Sequence, residues 1–273
     1  MISARPKDLY LDLIKRTLTY ALWPEPPLPI GSRGFKRPLV ARAVGLLSQT
    51  LGSIGVQLVR PRTIQPDQRE TGGYWPAYPH TMIGTRRLDN LQFCVETVLR
   101  EGIEGDLIET GVWRGGACIF MRAVLAAHGV VDRKVYVADS FAGLPKPDVD
   151  RFPVDKGDAL HRAAFLAVSQ AEVEDNFRKY GLLDDQAVFL KGWFKDTLPG
   201  AAIHKLAVLR LDGDMYGSTM DVLTSLYPRL SPGGFCIIDD YNWPGCRQAV
   251  DCEFHLAVLH RADRGDHWRD GDV

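Results

Sequence analysis

Acidic residues end four of the five short apolar segments that follow residue 105 of this chain. They are Glu109, Asp139, Asp212 and the adjacent pair Asp239 and Asp240. A carboxylate at the end of an apolar segment is costly to desolvate unless it meets a partner. Because Asp is also a common helix cap, one such residue would carry little information. Four segments out of five ending in this way indicate a ligand site.

Three of these acids have the chemistry of a metal site. If the segments that end at Asp212 and at Asp239–Asp240 are neighbouring strands, about 4.8 Å apart, the three carboxylates can converge on one cation. Crowded carboxylates repel one another unless a positive charge lies among them. Oxygen-only ligands favour Mg²⁺ or Mn²⁺ over zinc. A capped loop at residues 239–240 is the alternative, and the role of Asp214 stays open.

The turn after the first segment is rich in glycine. Glu109, Gly111 and Gly115 are spaced acid-x-Gly-x-x-x-Gly, which differs from the Gly-x-Gly-x-x-Gly of dinucleotide sites. Glycine lets the backbone approach a ligand closely, and the acidic start of the turn suits a cationic ligand better than a pyrophosphate. The alternative is a tight turn without a ligand.

Asp139 ends the second segment, where an acidic residue typically accepts hydrogen bonds from ribose hydroxyls. Alternatively it caps the following turn together with Ser140. Taken with Glu109, it indicates a cationic cofactor that carries adenosine.

The elements that position these residues alternate between strands and helices. Apolar strands are predicted over residues 107–109, 134–139, 187–190, 206–212 and 234–239, and helices over 116–127, 160–180, 218–230 and from 245. Apolar strands separated by helices indicate a parallel sheet covered on both faces, hence a doubly wound α/β fold. Ligands bind such sheets beyond the carboxyl ends of the strands.

Composition excludes several classes of protein. The 273 residues contain 33 Lys and Arg against 34 Asp and Glu, a net charge of −1, so a nucleic-acid partner is not expected. The five cysteines include no CxxC pair and are expected to be reduced thiols. Residues 43–59 carry no charge, but their glycines and polar residues favour a packed or interfacial helix over a membrane span. We expect a soluble, cytoplasmic protein without stable membrane insertion.

Several long motifs identify a family. Residues 106–116 (DLIETGVWRGG), 138–145 (ADSFAGLP), 210–219 (RLDGDMYGST) and 233–241 (GGFCIIDDY) resemble the macrocin O-methyltransferase family. The resemblance covers nearly the whole chain, from residues 9–17 through 81–84 to about residue 250. It implies a Rossmann-like methyltransferase sheet and the methylation of sugar hydroxyls on natural products, with S-adenosylmethionine and Mg²⁺.

The resemblance also implies roles for individual residues. Glu109, Gly111 and Gly115 would line the methionine part of the cofactor, and Asp139 and Ser140 would hold the ribose. The wall near the adenine would be formed by residues 191–194, with Gly192, Trp193 and Phe194. Without the resemblance, the two aromatic residues of this wall would be interpreted as core residues.

The metal ligands of the family map onto Asp212, Asp239 and Asp240. A bound cation lowers the pKa of a sugar hydroxyl and orients it, and we hypothesise that Asp212 then accepts its proton. His80 is the competing candidate for this base.

Two segments are predicted to flank the site. Residues 1–80 are expected to form a helical and loop segment that covers the acceptor or supports dimer contacts, and residues 81–273 the methyltransferase domain. Tyr74, Trp75 and Tyr78 are candidates either for stacking on a sugar or for anchoring their loop. Residues 143–160 are expected to be a second lid loop.

The expected partners are a glycosylated small-molecule acceptor and a second copy of the chain, in a homodimer or higher homo-oligomer. The polar residues 261–272 depart from the family, whose members usually end in two further strands, so either these strands are degenerate here or this end is disordered. Two rival functions remain at this point: a nicotinamide-dependent sugar oxidoreductase or epimerase, although neither its glycine motif nor its Tyr/Lys pair is evident, and a non-catalytic scaffold.

Overall fold

The computed structural model describes residues 5–30 and 38–261. The polar stretch at residues 261–272, for which sheet strands or disorder were the alternatives, lies outside the described residues apart from Arg261, the last residue of a helix.

In its described residues, 5–30 and 38–80, the N-terminal segment contains three helices and one small β-ladder. The helices are α1 (Pro6–Leu18), α2 (Pro38–Gly52) and α3 (Pro66–Thr71), and the antiparallel strands are β1 (Leu28–Pro29) and β2 (Val59–Arg60). Helix α1 buries Leu11, Ile14 and Leu18 in the same core as the helices of the main sheet. Among the described residues, no helix, α2 included, is both long and apolar enough to cross a bilayer.

Within the described part of the chain, the main sheet has five parallel strands, as predicted. They are β3 (Asp106–Thr110), β4 (Val135–Asp139), β5 (Ala187–Lys191), β6 (Leu206–Leu211) and β7 (Leu230–Ile238), in the spatial order β5-β4-β3-β6-β7. The order reverses between β3 and β6, which places the switch point of the sheet beside Glu109 and Asp212.

Helices cover both faces of the sheet. They are α4 (Thr85–Arg100), α5 (Gly116–Ala127), α6 (Gln170–Lys179), α7 (Phe194–Thr197), α8 (Tyr216–Leu226) and α9 (Pro244–Arg261). Alternate strand residues enter opposite cores: Leu107 packs with α1, α4, α5 and α6, whereas Ile108 packs with α8 and α9. This two-sided burial confirms the doubly wound α/β prediction.

Two predicted helix boundaries differ from those in the structure. Helix α6 begins at Gln170 rather than near residue 160, because Leu160–Arg162 and Ala164–Leu166 form separate 3₁₀ turns and Ser169 caps the helix. Helix α8 ends at Leu226, where a 3₁₀ turn that contains a proline, Tyr227–Arg229, follows. Proline and a capping serine end and start these helices.

Candidate active site

A cavity of about 500 Å³ lies at the carboxyl ends of the strands. Its walls come from the turns that follow β3, β4, β5 and β6, from residues 81–83 and from the loop at residues 143–155. The predicted site residues that line it are Glu109, Gly111, Asp139, Ser140, Gly192, Trp193, Phe194 and Asp212. The structure therefore brings most of the predicted cofactor residues to one cavity.

The glycine turn after β3 has no room for a side chain at Gly111. Gly111 has φ = 88°, and a Cβ there would overlap the carbonyl oxygen of Asp212 in the turn after β6. Main-chain hydrogen bonds from Gly111 to Ala138 and from Asp212 to Thr110, both 2.9 Å long, join the neighbouring strand ends. Gly111 therefore allows the two turns to meet at the switch point.

The structure places Gly115 elsewhere than the resemblance implied. It is not among the residues that line the cavity, and a Cβ at this position would contact Val173 and Phe177 of α6. With φ = 83° it precedes the first residue of α5. Its place in the fold is the start of this helix and its packing against α6.

The three predicted metal ligands lie together beside this cavity. One carboxylate oxygen from each of Asp212, Asp239 and Asp240 lies within 4.8 Å of the other two. Strands β6 and β7 are adjacent, and their register pairs Leu211 with Ile238, so the aspartates that follow both strands are neighbours. Asp212 also lines the cavity, which makes the cluster continuous with its wall.

A buried arginine on β6 contacts this cluster and was not predicted. Arg210 is 1% exposed, and its guanidinium donates to Glu109, to Asp212 at 2.9 Å and to Asp239. The register pairs Arg210 directly with Glu109 across β3 and β6. A long cation within an apolar strand was the signal in the sequence, because such a residue needs buried anions.

A second unpredicted arginine contacts the cluster from α4. The Arg87 guanidinium donates to Oδ2 of Asp239 through Nη1, while Arg210 donates to Oδ1 of the same carboxylate. Asp239 therefore accepts one charged hydrogen bond on each of its oxygens.

The carboxylates of the cluster remain electrostatically crowded despite these arginines. Burial, and then the neighbouring aspartates, raise the pKa of Asp214 to about 7 and that of Asp240 well above its ordinary value. The pKa of Asp212 is also raised, by burial and then by Asp239. Acids that raise one another's pKa need additional positive charge to ionise together. An oxygen-only cluster with excess negative charge fits a hard divalent cation.

Glu109 combines an ion pair with deep burial. Burial raises its pKa to about 7, the Arg210 guanidinium opposes this rise, and the Asp212 carboxylate adds to it. Its Oε2 also accepts a hydrogen bond from the Cys118 thiol at 3.0 Å. Glu109 thus pairs with Arg210, which also contacts the aspartate cluster, and at the same time lines the cavity.

Asp139 is held by main-chain amides rather than by cations. Its Oδ2 accepts from the Val112 amide at 2.8 Å and its Oδ1 from the Phe141 amide at 2.7 Å. Burial raises the pKa of Asp139, and these amide hydrogen bonds oppose the rise. The Ser140 hydroxyl donates to the Gly143 carbonyl at 2.6 Å. The carboxylate therefore caps the turns of two strands and also faces the cavity.

The lid loop predicted at residues 143–160 does line the cavity, and a buried acid fixes it. Asp155 is 6% exposed, and its Oδ1 accepts from the Tyr216 amide at the start of α8, at 2.9 Å. Phe152 packs over Gly217, where a Cβ would meet its ring at 2.9 Å. Nothing in the sequence pattern marked Asp155, because it lies in a loop with no periodicity.

The other candidates lie outside this cavity. His80 contacts the Tyr180 hydroxyl at 3.0 Å, and burial lowers its pKa to about 4. Trp75 packs edge-on against Phe165, Tyr78 stacks on Tyr20, and Tyr74 lies below the Arg62 guanidinium. None of these four candidates is among the residues that line the cavity.

Comparison with known proteins identifies relatives along most of the chain. Residues 7–258 match the family model of macrocin-O-methyltransferase (TylF). The chain is 51% identical over 245 residues to 8-demethyl-8-(2,3-dimethoxy-alpha-L-rhamnosyl)-tetracenomycin-C 4'-O-methyltransferase of Streptomyces olivaceus, covering 89% of this chain and 84% of that protein. It is 50% identical over 246 residues to mycinamicin III 3''-O-methyltransferase of Micromonospora griseorubida, covering 89% and 87%.

A third relative and two solved structures agree with this match. Demethyldecarbamoylnovobiocin O-methyltransferase of Streptomyces niveus is 57% identical over 217 residues, covering 77% of this chain and 83% of that protein. The structure of the O-methyltransferase NovP superposes with a TM-score of 0.77 at 45% identity, covering 96% and 93% of the two chains. The calicheamicin methyltransferase CalS11, at 19% identity and a TM-score of 0.53, shares the fold. The chain belongs to the macrocin-O-methyltransferase family.

Proposed function

We propose that this protein transfers a methyl group from S-adenosylmethionine to a sugar hydroxyl of a glycosylated natural product or glycan, with Mg²⁺ as its metal. The observation that carries the proposal is the convergence of Asp212, Asp239 and Asp240 within 4.8 Å at the edge of a cavity lined by Glu109 and Asp139. Relatives with half or more of their aligned residues identical are named as O-methyltransferases of glycosylated antibiotics and their precursors.

The cofactor side of the cavity suits a sulfonium nucleoside. Glu109 and Gly111 would lie along its methionine part, Asp139 and Ser140 along the ribose, and Gly192, Trp193 and Phe194 along the adenine. Trp193 is 37% exposed and lines the cavity, so it is a wall residue more than a core residue. An acidic wall attracts the positive sulfur, and the aromatic side chains offer stacking surface.

The metal side would be held by Asp212, Asp239 and Asp240. When bound, Mg²⁺ would lower the pKa of the acceptor hydroxyl. Asp212 faces the cavity while its Oδ2 accepts from Arg210, and we assign it the role of general base that takes the hydroxyl proton. The rest of the site aligns oxygen, carbon and sulfur, and the loop at residues 143–155 excludes water.

The rival functions find less support. A nicotinamide cofactor needs a glycine turn that clears a pyrophosphate, whereas this turn starts at a buried glutamate that belongs to an acidic cluster. A non-catalytic scaffold has no need for a crowded carboxylate cluster next to a cavity, since such a cluster costs folding free energy.

Assembly and location complete the proposal. We expect a homodimer or higher homo-oligomer, and Leu39, Leu46 and Ile54 in and after α2 expose 67–78% of their surface, which supports an interface. Sedimentation analysis of the full chain measures the oligomeric state, and a monomer at micromolar concentration would contradict it. We also propose a cytoplasmic location, which the free thiols of all five cysteines support.

The experiment that tests the function is a methyl-transfer assay read by mass spectrometry. The full chain is incubated with S-adenosylmethionine, Mg²⁺ and a panel of rhamnosylated, macrolide and aminocoumarin glycosides, and a gain of one methylene unit on the sugar is expected. Dialysis against EDTA should abolish the gain, and Mg²⁺ should restore it.

Asp212→Asn tests the assigned base. We expect kcat to fall by about 10²–10⁴-fold, whereas Asp175→Asn, which removes a surface acid on α6, should leave kcat unchanged. Full turnover by Asp212→Asn would remove Asp212 from the mechanism, and no transfer to any glycoside by the wild type would contradict the proposed function.

A further inference from the structure

The side chain of Arg87 joins two parts of the molecule that are separate in sequence. Its Nη1 donates to Oδ2 of Asp239 in the metal cluster, and its Nη2 donates to the carbonyl oxygens of Thr71 and Met82, at 3.3 and 3.4 Å. Thr71 ends α3 in the N-terminal segment, and Met82 lines the cavity. One guanidinium therefore contacts the metal cluster and the chain on both sides of the loop at residues 72–81.

The backbone around this contact is closely packed. Gly72 and Gly84 both have positive φ, 74° and 50°. A Cβ on Gly72 would lie 2.6 Å from Nη2 of Arg87, and a Cβ on Gly84 would lie 2.5 Å from the Gly72 nitrogen. Because side chains are excluded at both positions, the guanidinium reaches the two carbonyls directly. The two glycines thus leave the space that the Arg87 guanidinium occupies.

The charge of Arg87 also matters to the cluster. Asp239 is 6% exposed at its side chain and accepts from two guanidinium groups, while the nearby Asp212, Asp214 and Asp240 have raised pKa values. A divalent ion at this cluster and the Arg87 guanidinium would be like charges that share one carboxylate, so each lowers the affinity of the other for it.

We propose that Arg87 is a positioning residue with two roles: a resident counter-charge of the metal cluster, and a tie that holds residues 71–82, including part of the cavity wall, against Asp239. This inference rests on the proposed metal site. Metal binding at the cluster and the attachment of residues 71–82 are then energetically coupled, because both depend on the Asp239 carboxylate. The coupling is reciprocal, since either partner weakens the hold of the other on Asp239.

Two variants separate the two roles, and a neighbouring arginine provides the control. Arg87→Gln removes the charge and the tie. Arg87→Lys keeps the charge, but a single ammonium group has no planar fork to span the carboxylate and both carbonyls. Arg86→Gln makes the same change of charge one residue earlier on α4, where Arg86 is exposed and pairs with Glu70 of α3.

The measurements are Mn²⁺ affinity by electron paramagnetic resonance and amide hydrogen exchange over residues 71–84, both on the full chain without substrate. For Arg87→Gln we expect Mn²⁺ to bind on the order of tenfold more tightly, because a like charge is gone, and exchange to be faster. Arg87→Lys should keep the wild-type affinity within about threefold, since the charge remains, and still exchange faster. Arg86→Gln should match the wild type in affinity.

The possible failures are distinguishable. If Arg87→Gln binds Mn²⁺ as the wild type does or more weakly, the counter-charge role is wrong while the metal site stands. If exchange over residues 71–84 is unchanged in both Arg87 variants, the tie is wrong. If the wild type itself does not bind Mn²⁺, the proposed metal site falls, and the coupling falls with it. Should Arg87→Gln not fold, Arg87→Lys still tests the tie, and a wild-type exchange rate in that variant would overturn it.

Discussion

Asp139 and the aspartate cluster lie at the same edge of the sheet, but their carboxylates are stabilised by different partners. Asp139, at the end of β4, accepts hydrogen bonds from the main-chain amides of Val112 and Phe141. The cluster after β6 and β7 depends instead on the guanidinium groups of Arg210 and Arg87. The amides are part of the turns that Asp139 caps, whereas each arginine brings a full positive charge that would repel a metal ion bound at the cluster.

This difference supports the different roles that we propose for Asp139 and for the cluster. A carboxylate that is satisfied by amides needs no cation and can accept further hydrogen bonds from a neutral ligand. A cluster whose members raise one another's pKa has room for additional positive charge. Under the proposed function, the same residue type at two strand ends of one sheet would therefore serve a nucleoside at one and a metal at the other.

The largest effect is expected from removing the central charge of the cluster. Arg210→Met leaves Glu109 buried without a guanidinium partner and removes one such partner from Asp212 and from Asp239, so we expect a loss of about 3–5 kcal/mol in the free energy of unfolding. Urea denaturation without metal measures it. Arg178→Met, a change on the exposed surface of α6, should stay within about 0.5 kcal/mol of the wild type. A loss below about 1 kcal/mol for Arg210→Met would contradict the account of the cluster.

The next largest effect is expected where the turns after β3 and β6 meet at the switch point. Gly111→Ala should cost roughly 2–4 kcal/mol, because it combines a strained positive φ with overlap on the Asp212 carbonyl. Gly129→Ala is the matched control, since Gly129 has φ = 66° with open space around it, and about 1 kcal/mol is expected there. If thermal denaturation shows equal losses of stability for the two variants, the turns after β3 and β6 can move apart to accept the added methyl group.

A smaller effect is expected from pH. The folded pKa values of Glu109 and Asp214, about 7, lie above the ordinary values of 4.5 and 3.8. The metal-free folded chain therefore holds protons that the unfolded chain has released, and its stability falls as pH rises through 7. His80, with its pKa lowered to about 4, acts in the opposite direction, mainly below and around the ordinary histidine value of 6.5.

Between pH 6.5 and 8 the net loss should therefore be about 1 kcal/mol in chelator, and Mg²⁺ should reduce it because a cation favours the ionised acids. Denaturation at the two pH values, with and without Mg²⁺, measures both quantities. If stability in chelator rises over this interval, the raised pKa values of Glu109 and Asp214 are wrong.

The sequence predicted the sheet and the acids at its edge because both depend on local patterns. Apolar runs gave the strands to within a few residues, and Asp212, Asp239 and Asp240 came together because parallel strands end at one edge. The arginine partners of Glu109 and Asp239 were missed because these pairs join distant positions of the chain. Arg210 pairs with Glu109 across 101 residues and Arg87 with Asp239 across 152, so no local spacing links them.

The loops account for the other misses. Asp155 fixes the lid loop through the amide of Tyr216, a contact that no periodicity reveals. Gly115 shares its motif with Gly111 but faces α6, because one turn of backbone separates the switch point from the start of α5. The motif gave the residue types of the turn, and only the structure separates the glycine that lines the cavity from the glycine that packs a helix.

The most direct test of the account compares one variant from each group of carboxylates. Asp240→Asn and Asp139→Asn are titrated separately with Mn²⁺ and with S-adenosylhomocysteine by calorimetry. We predict that Asp240→Asn loses Mn²⁺ affinity by about 10–100-fold and keeps its nucleoside affinity, while Asp139→Asn does the reverse. Wild-type Mn²⁺ affinity in Asp240→Asn, or equal losses of both ligands in both variants, would contradict the division of the edge into a metal site and a nucleoside site.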